Sequence, residues 1–142
     1  MSFPNLNDAK GLLNVGRDAD VRIFTAGGTI TRAGDWVKFD IAQTGETRSD
    51  TVVEGTASTL TFGVALETAT VGLKVRVLVG GYVEGAQTDD SVVSGGAVVA
   101  KAAGEVGAYA AADVTPILGV ALENDAGADP FLVDMIVFKH IA

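Results

Sequence analysis

Cysteine is absent from the chain, and histidine occurs once, at position 140. Without cysteine there is no disulfide framework and no thiolate metal site. With one histidine there is no His-based metal pair within the chain, and His140 reads as an ordinary residue near the end of a terminal strand. Proline is scarce, with three residues, and aromatics make up 6% of the 142 positions. Basic residues are few: ten Lys and Arg stand against 18 Asp and Glu, for a net charge of −8. The ten are scattered, from Lys10 to Lys139, and form no basic patch. Such a field repels phosphate backbones, so nucleic acid is not an expected partner. Long apolar runs are missing as well. The most apolar region, 97–114, is interrupted by Lys101, Glu105 and Asp113, so no membrane span is expected, and residues 1–16 lack a signal-peptide pattern.

What the chain has is glycine and short valine-rich stretches. The 18 glycines and a hydrophobic content of 48% predict many tight turns between short strands around a packed core. Trp36–Ile41 alternates, with Val37, Phe39 and Ile41 on one face and Lys38 and Asp40 on the other. Leu73–Val79 alternates more clearly, with Val75, Val77 and Val79 opposite Lys74 and Arg76. Strands are also expected at 21–25, 59–66, around Val98–Val99, at 117–122 and at 131–138. The last is apolar on both faces apart from Asp134, which predicts burial on both sides or a subunit contact. Residues 43–54 read as a polar loop with a short edge strand. The alanine-rich stretch 102–112 has helical character weakened by Gly104 and Gly107. Residues 1–19 lack strand alternation and read as an N-terminal arm, with Phe3, Pro4, Leu6, Leu12 and Leu13 as candidate anchors on a neighbouring protein.

The word Gly63-Val64-Ala65-Leu66-Glu67 recurs letter for letter as Gly119-Val120-Ala121-Leu122-Glu123, 56 residues on. An apolar residue precedes each copy, a polar turn follows, and a valine-rich strand closes each unit. Ala33-Gly34-Asp35-Trp36-Val37 has a looser counterpart in Ser94-Gly95-Gly96-Ala97-Val98. The context predicts an internal duplication, approximately 33–79 and 94–138, within one domain spanning 20–142. The fold class is therefore all-β: a compact barrel or sandwich built from two similar strand-turn-strand halves. Two repeats are too few for a solenoid, whereas a closed barrel removes exposed sheet edges. Gly63, Glu67, Gly119 and Glu123 are the marker residues of the repeat.

The succession of an Ala-Gly-Asp turn into a valine strand (33–37), a Gly-Val-Ala-Leu strand (63–66) and a Val-x-Val-x-Val strand (75–79) resembles the small capsid cement, or decoration, proteins of tailed bacteriophages. The second copy keeps Gly119–Leu122, replaces Ala-Gly-Asp by Ser94-Gly95-Gly96, and departs further at Val133–Val137. The resemblance covers roughly residues 20–140. It implies a β-barrel on the outer face of an icosahedral head, made in the host cytoplasm, bound to the major capsid protein, commonly as a trimer bridging capsomers. Many weak contacts on one lattice add by avidity, so such a protein needs a rigid body and no reactive group.

No catalytic, cofactor or metal site is expected. The segment 23–30, Ile-Phe-Thr-Ala-Gly-Gly-Thr-Ile, is similar to an asparaginase nucleophile segment but carries an inserted Ala26 and lacks the partner residues; it reads as a hairpin turn. The acidic loop 123–129 gathers three carboxylates at a spacing that fits no calcium loop. The competing reading is a non-catalytic β-sandwich module that binds carbohydrate or another protein, which needs exposed aromatics.

Overall fold

The computed structural model describes residues 12–125 and 132–141. Nine strands are described: β1 (Asp20–Ala26), β2 (Trp36–Phe39), β3 (Thr51–Glu54), β4 (Thr61–Ala65), β5 (Lys74–Gln87), β6 (Ala97–Ala100), β7 (Val106–Ala108), β8 (Ile117–Ala121) and β9 (Leu132–Val137). The chain is all-β, with a 3-10 turn at Gly45–Ser49 as the one helical element among the described residues.

The strand order is β1-β3-β2-β4-β5, and β5 pairs back onto β1, which closes a five-stranded barrel. Every contact in the ring is antiparallel except β1–β3. The order then continues β5-β9-β8-β6-β7. Here too one parallel contact completes the ring: Thr88, just past β5, bridges Val106 on β7, and Asp89 N–H donates to Val106 O (2.9 Å). The first barrel makes the matching bond from Gly27 N–H to Val52 O (2.8 Å). The strand β5 is thus shared. Its first half ends one barrel and its second half begins the other.

The two halves match residue by residue. Trp36 and Val37 face Val64 and Gly63 across β2–β4, with a register shift after Val37; Ala97 and Val98 face Val120 and Gly119 across β6–β8, with a shift after Val98. Val64 and Ala65 pair with Leu78 and Val77; Val120 and Ala121 pair with Ile136 and Met135. Matched in this way, Val37, Val52, Ala65, Val75, Val77 and Val79 of the first interior correspond to Val98, Val106, Ala121, Val133, Met135 and Val137 of the second, all buried. The structural repeat begins upstream of the matching words in the sequence, at β1 in one copy and at the middle of β5 in the other.

Each interior is filled differently. Phe24, Phe39 and Phe62 cluster in the first barrel, with the Phe39 and Phe62 rings stacked at 4.2 Å. Their counterparts Ala86, Ala100 and Leu118 are smaller. The outward side chains Trp36, Val64, Leu66 and Leu78 of the first barrel join the core of the second. This explains why β2 and β4 are buried on both faces and why the simple two-period pattern of β2 fails. Trp36 and Val37 are both buried, and Ile41 lies beyond the strand, exposed, in a turn where the Asp40 carboxylate accepts from Ala42 N–H (3.1 Å).

Several expectations from the sequence are corrected. The strand expected to stop at Val79 runs on to Gln87 because Gly80 and Gly81 let it pass from one barrel to the other. Gly81 has φ +114°, and a Cβ there would lie 2.9 Å from Ala19 Cα. The edge strand expected in 43–54 is β3, an interior member of the first ring. The stretch 102–112 is a turn followed by β7 and contains no helix.

Candidate functional site

The marker residues of the repeat meet at equivalent places. A Cβ on Gly63 would lie 2.6 Å from Leu78 O, and one on Gly119 would lie closer still to Ile136 O. Leu78 and Ile136 are counterparts, so glycine recurs because the neighbouring backbone carbonyl occupies the Cβ position. Glu67 Oε2 accepts Arg76 N–H at 2.9 Å, and Glu123 Oε1 accepts Asp134 N–H at 2.9 Å. Leu66 N–H and Leu122 N–H donate to the carbonyls of the same two residues, each at 2.9 Å. The five-letter word is therefore a hairpin device: glycine permits close approach, and glutamate pins the opposite strand.

The two copies diverge in charge at this device. Arg76 also pairs its guanidinium with Glu67 (3.2 Å). Asp134 faces Glu123 instead, and its carboxyl is pushed above the ordinary carboxylate range by burial, then by Glu123. Tyr82 donates to Asp134 Oδ2 (3.3 Å), and burial, with Asp134 and Glu84 adding, pushes the phenol up to about 12. The strand β9 turns Val133, Met135 and Val137 inward. Its outward side chains Leu132 and Ile136, and Phe138 just beyond it, are 36–40% exposed, so of the two expectations for this strand, burial on both sides within the chain is corrected and a subunit contact stays open. Leu122 extends this apolar surface from the end of β8.

The N-terminal candidates divide. Phe3, Pro4 and Leu6 lie outside the described residues. Leu12 is 8% exposed and belongs to the core of the second barrel, with Leu13 half-buried against it. Leu13 N–H donates to Leu66 O (2.9 Å), Gly16 N–H to Tyr82 O (3.0 Å), and Val15 bridges Val83. Leu12 is therefore not presented to another protein in this fold. Residues 12–19 dock along β5 because their apolar side chains complete an intramolecular core.

The remaining sequence candidates have structural partners. The His140 imidazole donates to Ile117 O (2.9 Å). Asp125, in the described part of the acidic loop, accepts from Val92 N–H (2.8 Å) and from Thr88 Oγ1. Gly27 and Gly28 form a turn, not a strand-to-helix nucleophile site. A surface depression lies between Thr29–Thr31 and Thr68–Thr70; its lining of threonines, Ile30, Ala69 and Leu73 includes no titratable group. Among the described residues no group of three His, Cys, Asp or Glu side chains could hold a metal, and no helix is long and apolar enough to cross a membrane.

One polar cluster went unnoticed in the sequence. Asp35, at the entry to β2, has no exposed side-chain surface. It accepts from Arg32 Nε (2.9 Å) and Arg32 N–H (3.1 Å), while Glu54 faces it across the Thr31 hydroxyl. Burial, with Glu54 adding, pushes its carboxyl up to about 6 against the pull of Arg32. The turn 102–105 of the second barrel seats on this cluster: Arg32 donates to Ala103 O (2.8 Å), Trp36 N–H to Gly104 O (2.8 Å), and Gly104 N–H to Gly55 O (2.9 Å).

No protein-family model matches the chain, and no curated protein matches it.

Proposed function

We propose that the chain is a structural virion protein that binds the outer surface of a phage capsid and cements neighbouring capsomers. The observation that carries this reading is the double barrel itself. Two closed rings share one strand and a common core at their junction, a construction suited to a stiff body that presents surfaces. Closure pairs the strand edges, which guards against unwanted strand addition at high local concentration on a lattice. The outward apolar side chains Leu122, Leu132, Ile136 and Phe138 supply contact area for the major capsid protein or for a second copy in a trimer. The residues before Leu12 offer further contact, and Phe3, Pro4 and Leu6 remain its proposed anchors.

The carbohydrate-binding alternative is less well supported. Trp36 is buried, and Phe24, Phe39 and Phe62 pack on one another, so these aromatics form no exposed platform. The test is sedimentation of purified protein with tailed-phage heads stripped of their decoration. Saturable binding that raises the temperature at which heads rupture supports cementing. Protein that stays in the supernatant at every concentration contradicts it.

A further inference from the structure

We propose that Asp35, beside Glu54 and under the 102–105 turn, acts as a pH-operated latch: a proton on its carboxyl in mildly acidic solution tightens the grip of that turn on the first barrel, and loss of the proton at higher pH loosens it.

The first support is the internal duplicate. Arg32, Asp35 and Glu54 correspond to Val93, Gly96 and Ala108 of the second barrel, and Thr31 precedes Arg32 as Val92 precedes Val93. The match is fixed by backbone bonds: Asp35 N–H to Arg32 O (3.2 Å) and Ala65 N–H to Asp35 O (2.8 Å) recur as Gly96 N–H to Val93 O (2.9 Å) and Ala121 N–H to Gly96 O (3.0 Å). Glu54 faces Val37 as Ala108 faces Val98. The turn and its strand therefore form without any of the four polar side chains. In the first barrel those side chains sit at the place where the second barrel seats.

The second support is donor arithmetic. Thr31 Oγ1 lies 3.3 Å from both Asp35 Oδ2 and Glu54 Oε2, yet a hydroxyl donates one proton. Both contacts are satisfied together when one carboxyl brings a proton of its own. The charges facing Asp35 are Arg32 from its own turn and Glu54 from β3; Glu105 of the second barrel faces the other side of Arg32, its Oε2 3.6 Å from the guanidinium. Arg32 thus serves both Asp35 and Glu105, and the half-exposed Glu54 adds a like charge beside the buried Asp35, which disfavours ionisation of Asp35. Burial of Asp35 agrees with this, since its carboxyl is held well above the usual range. A Cβ on Gly104 would lie 2.9 Å from Asp35 Oδ1 and 3.0 Å from Glu54 Cγ, so the second barrel presses directly on the pair.

Linkage sets the sign. A latched state that binds the Asp35 proton more tightly than the open one is favoured as pH falls. The amides of Trp36 and Gly104 donate across the junction, whereas those of Gly95 and Ala121 bond within the second barrel, as Gly34 and Ala65 do within the first, and serve as controls. The experiment is amide hydrogen exchange of the full chain at about pH 5 and about pH 8, corrected for intrinsic rates, beside a carbon-13 carboxyl titration of the wild type. Protection of Trp36 and Gly104 is expected to fall by about tenfold at the higher pH while Gly95 and Ala121 stay level. Asp35→Asn is expected to abolish the difference, and Glu54→Gln serves if that variant fails to fold. Equal protection at both pH values, a parallel change at Gly95 and Ala121, a pH dependence retained in the variant, or an Asp35 carboxyl titrating in the ordinary carboxylate range would each overturn the latch.

Discussion

Arg76 and Asp134 occupy the same position in two copies of one hairpin and carry opposite charge. Each gives its backbone N–H to the glutamate that ends the repeated word, at 2.9 Å. Only Arg76 also neutralises that glutamate. Asp134→Arg is therefore expected to restore the pair with Glu123 and raise stability by about 0.5–1 kcal/mol at neutral pH, since the site is partly exposed. Urea unfolding of the variant beside the wild type checks this; no gain, or a loss, counts against the equivalence of the two hairpins.

Gly63→Ala and Gly119→Ala place a methyl group against the carbonyls of Leu78 and Ile136. Each is expected to cost about 2–3 kcal/mol through forced displacement of the neighbouring strand. Similar losses in the two variants, measured by denaturant midpoint at constant slope, show that glycine serves the same steric need in both barrels.

Ala103 has φ +58° in the turn that seats on the first barrel. Glycine at this position relieves left-handed strain of about 1–2 kcal/mol and loses part of that gain to the larger entropy of the unfolded chain. Ala103→Gly is expected to stabilise the protein by about 0.5 kcal/mol, read as a small rise in melting temperature.

Stability should also depend on pH in a definite direction. Asp35 binds its proton more tightly in the folded chain, at about 6 against an ordinary 3.8, so the folded state carries more protons between those values. Unfolding free energy then falls as pH rises through that window, by about 2 kcal/mol from this group. Asp134 is shifted the same way. Asp20 is held low by its bonds to Lys139 and Arg22, so its contribution is lost at acid pH, below the usual carboxylate range. Calorimetric scans at stepped pH test the slope, and Asp35→Asn should flatten it.

Much of the fold was legible in the sequence because the same strand-turn-strand pattern occurs twice in it. The glycine-led word and the Val75–Val79 alternation locate β4, β5 and β8, and their repetition predicts two similar halves. What stayed hidden follows from the shared strand. Gly80–Gly81 reads locally as an interruption, yet it lets β5 serve both barrels. Trp36 and Leu78 point out of one barrel into the core of the other, which erases the alternation that period-two reading relies on. Leu12 resembled an anchor for a partner because its burial depends on long-range packing against the second barrel. Asp35 looked like a turn residue, and its cluster with Arg32 and Glu54 arises only when the ring closes. A deletion meant to test the arm must accordingly stop at residue 11, and Leu12→Ala is expected to cost about 2–3 kcal/mol as a core truncation.

As proposed, the double barrel works through its surfaces on the outside of a phage shell. The decisive measurement is a cryo-electron map of intact tailed-phage particles carrying the chain. Two linked five-stranded barrels are expected on the outer face, with β9 and Phe138 or the N-terminal residues against the capsid protein. Particles without the chain, or density for it only inside the head or in the tail, would contradict it.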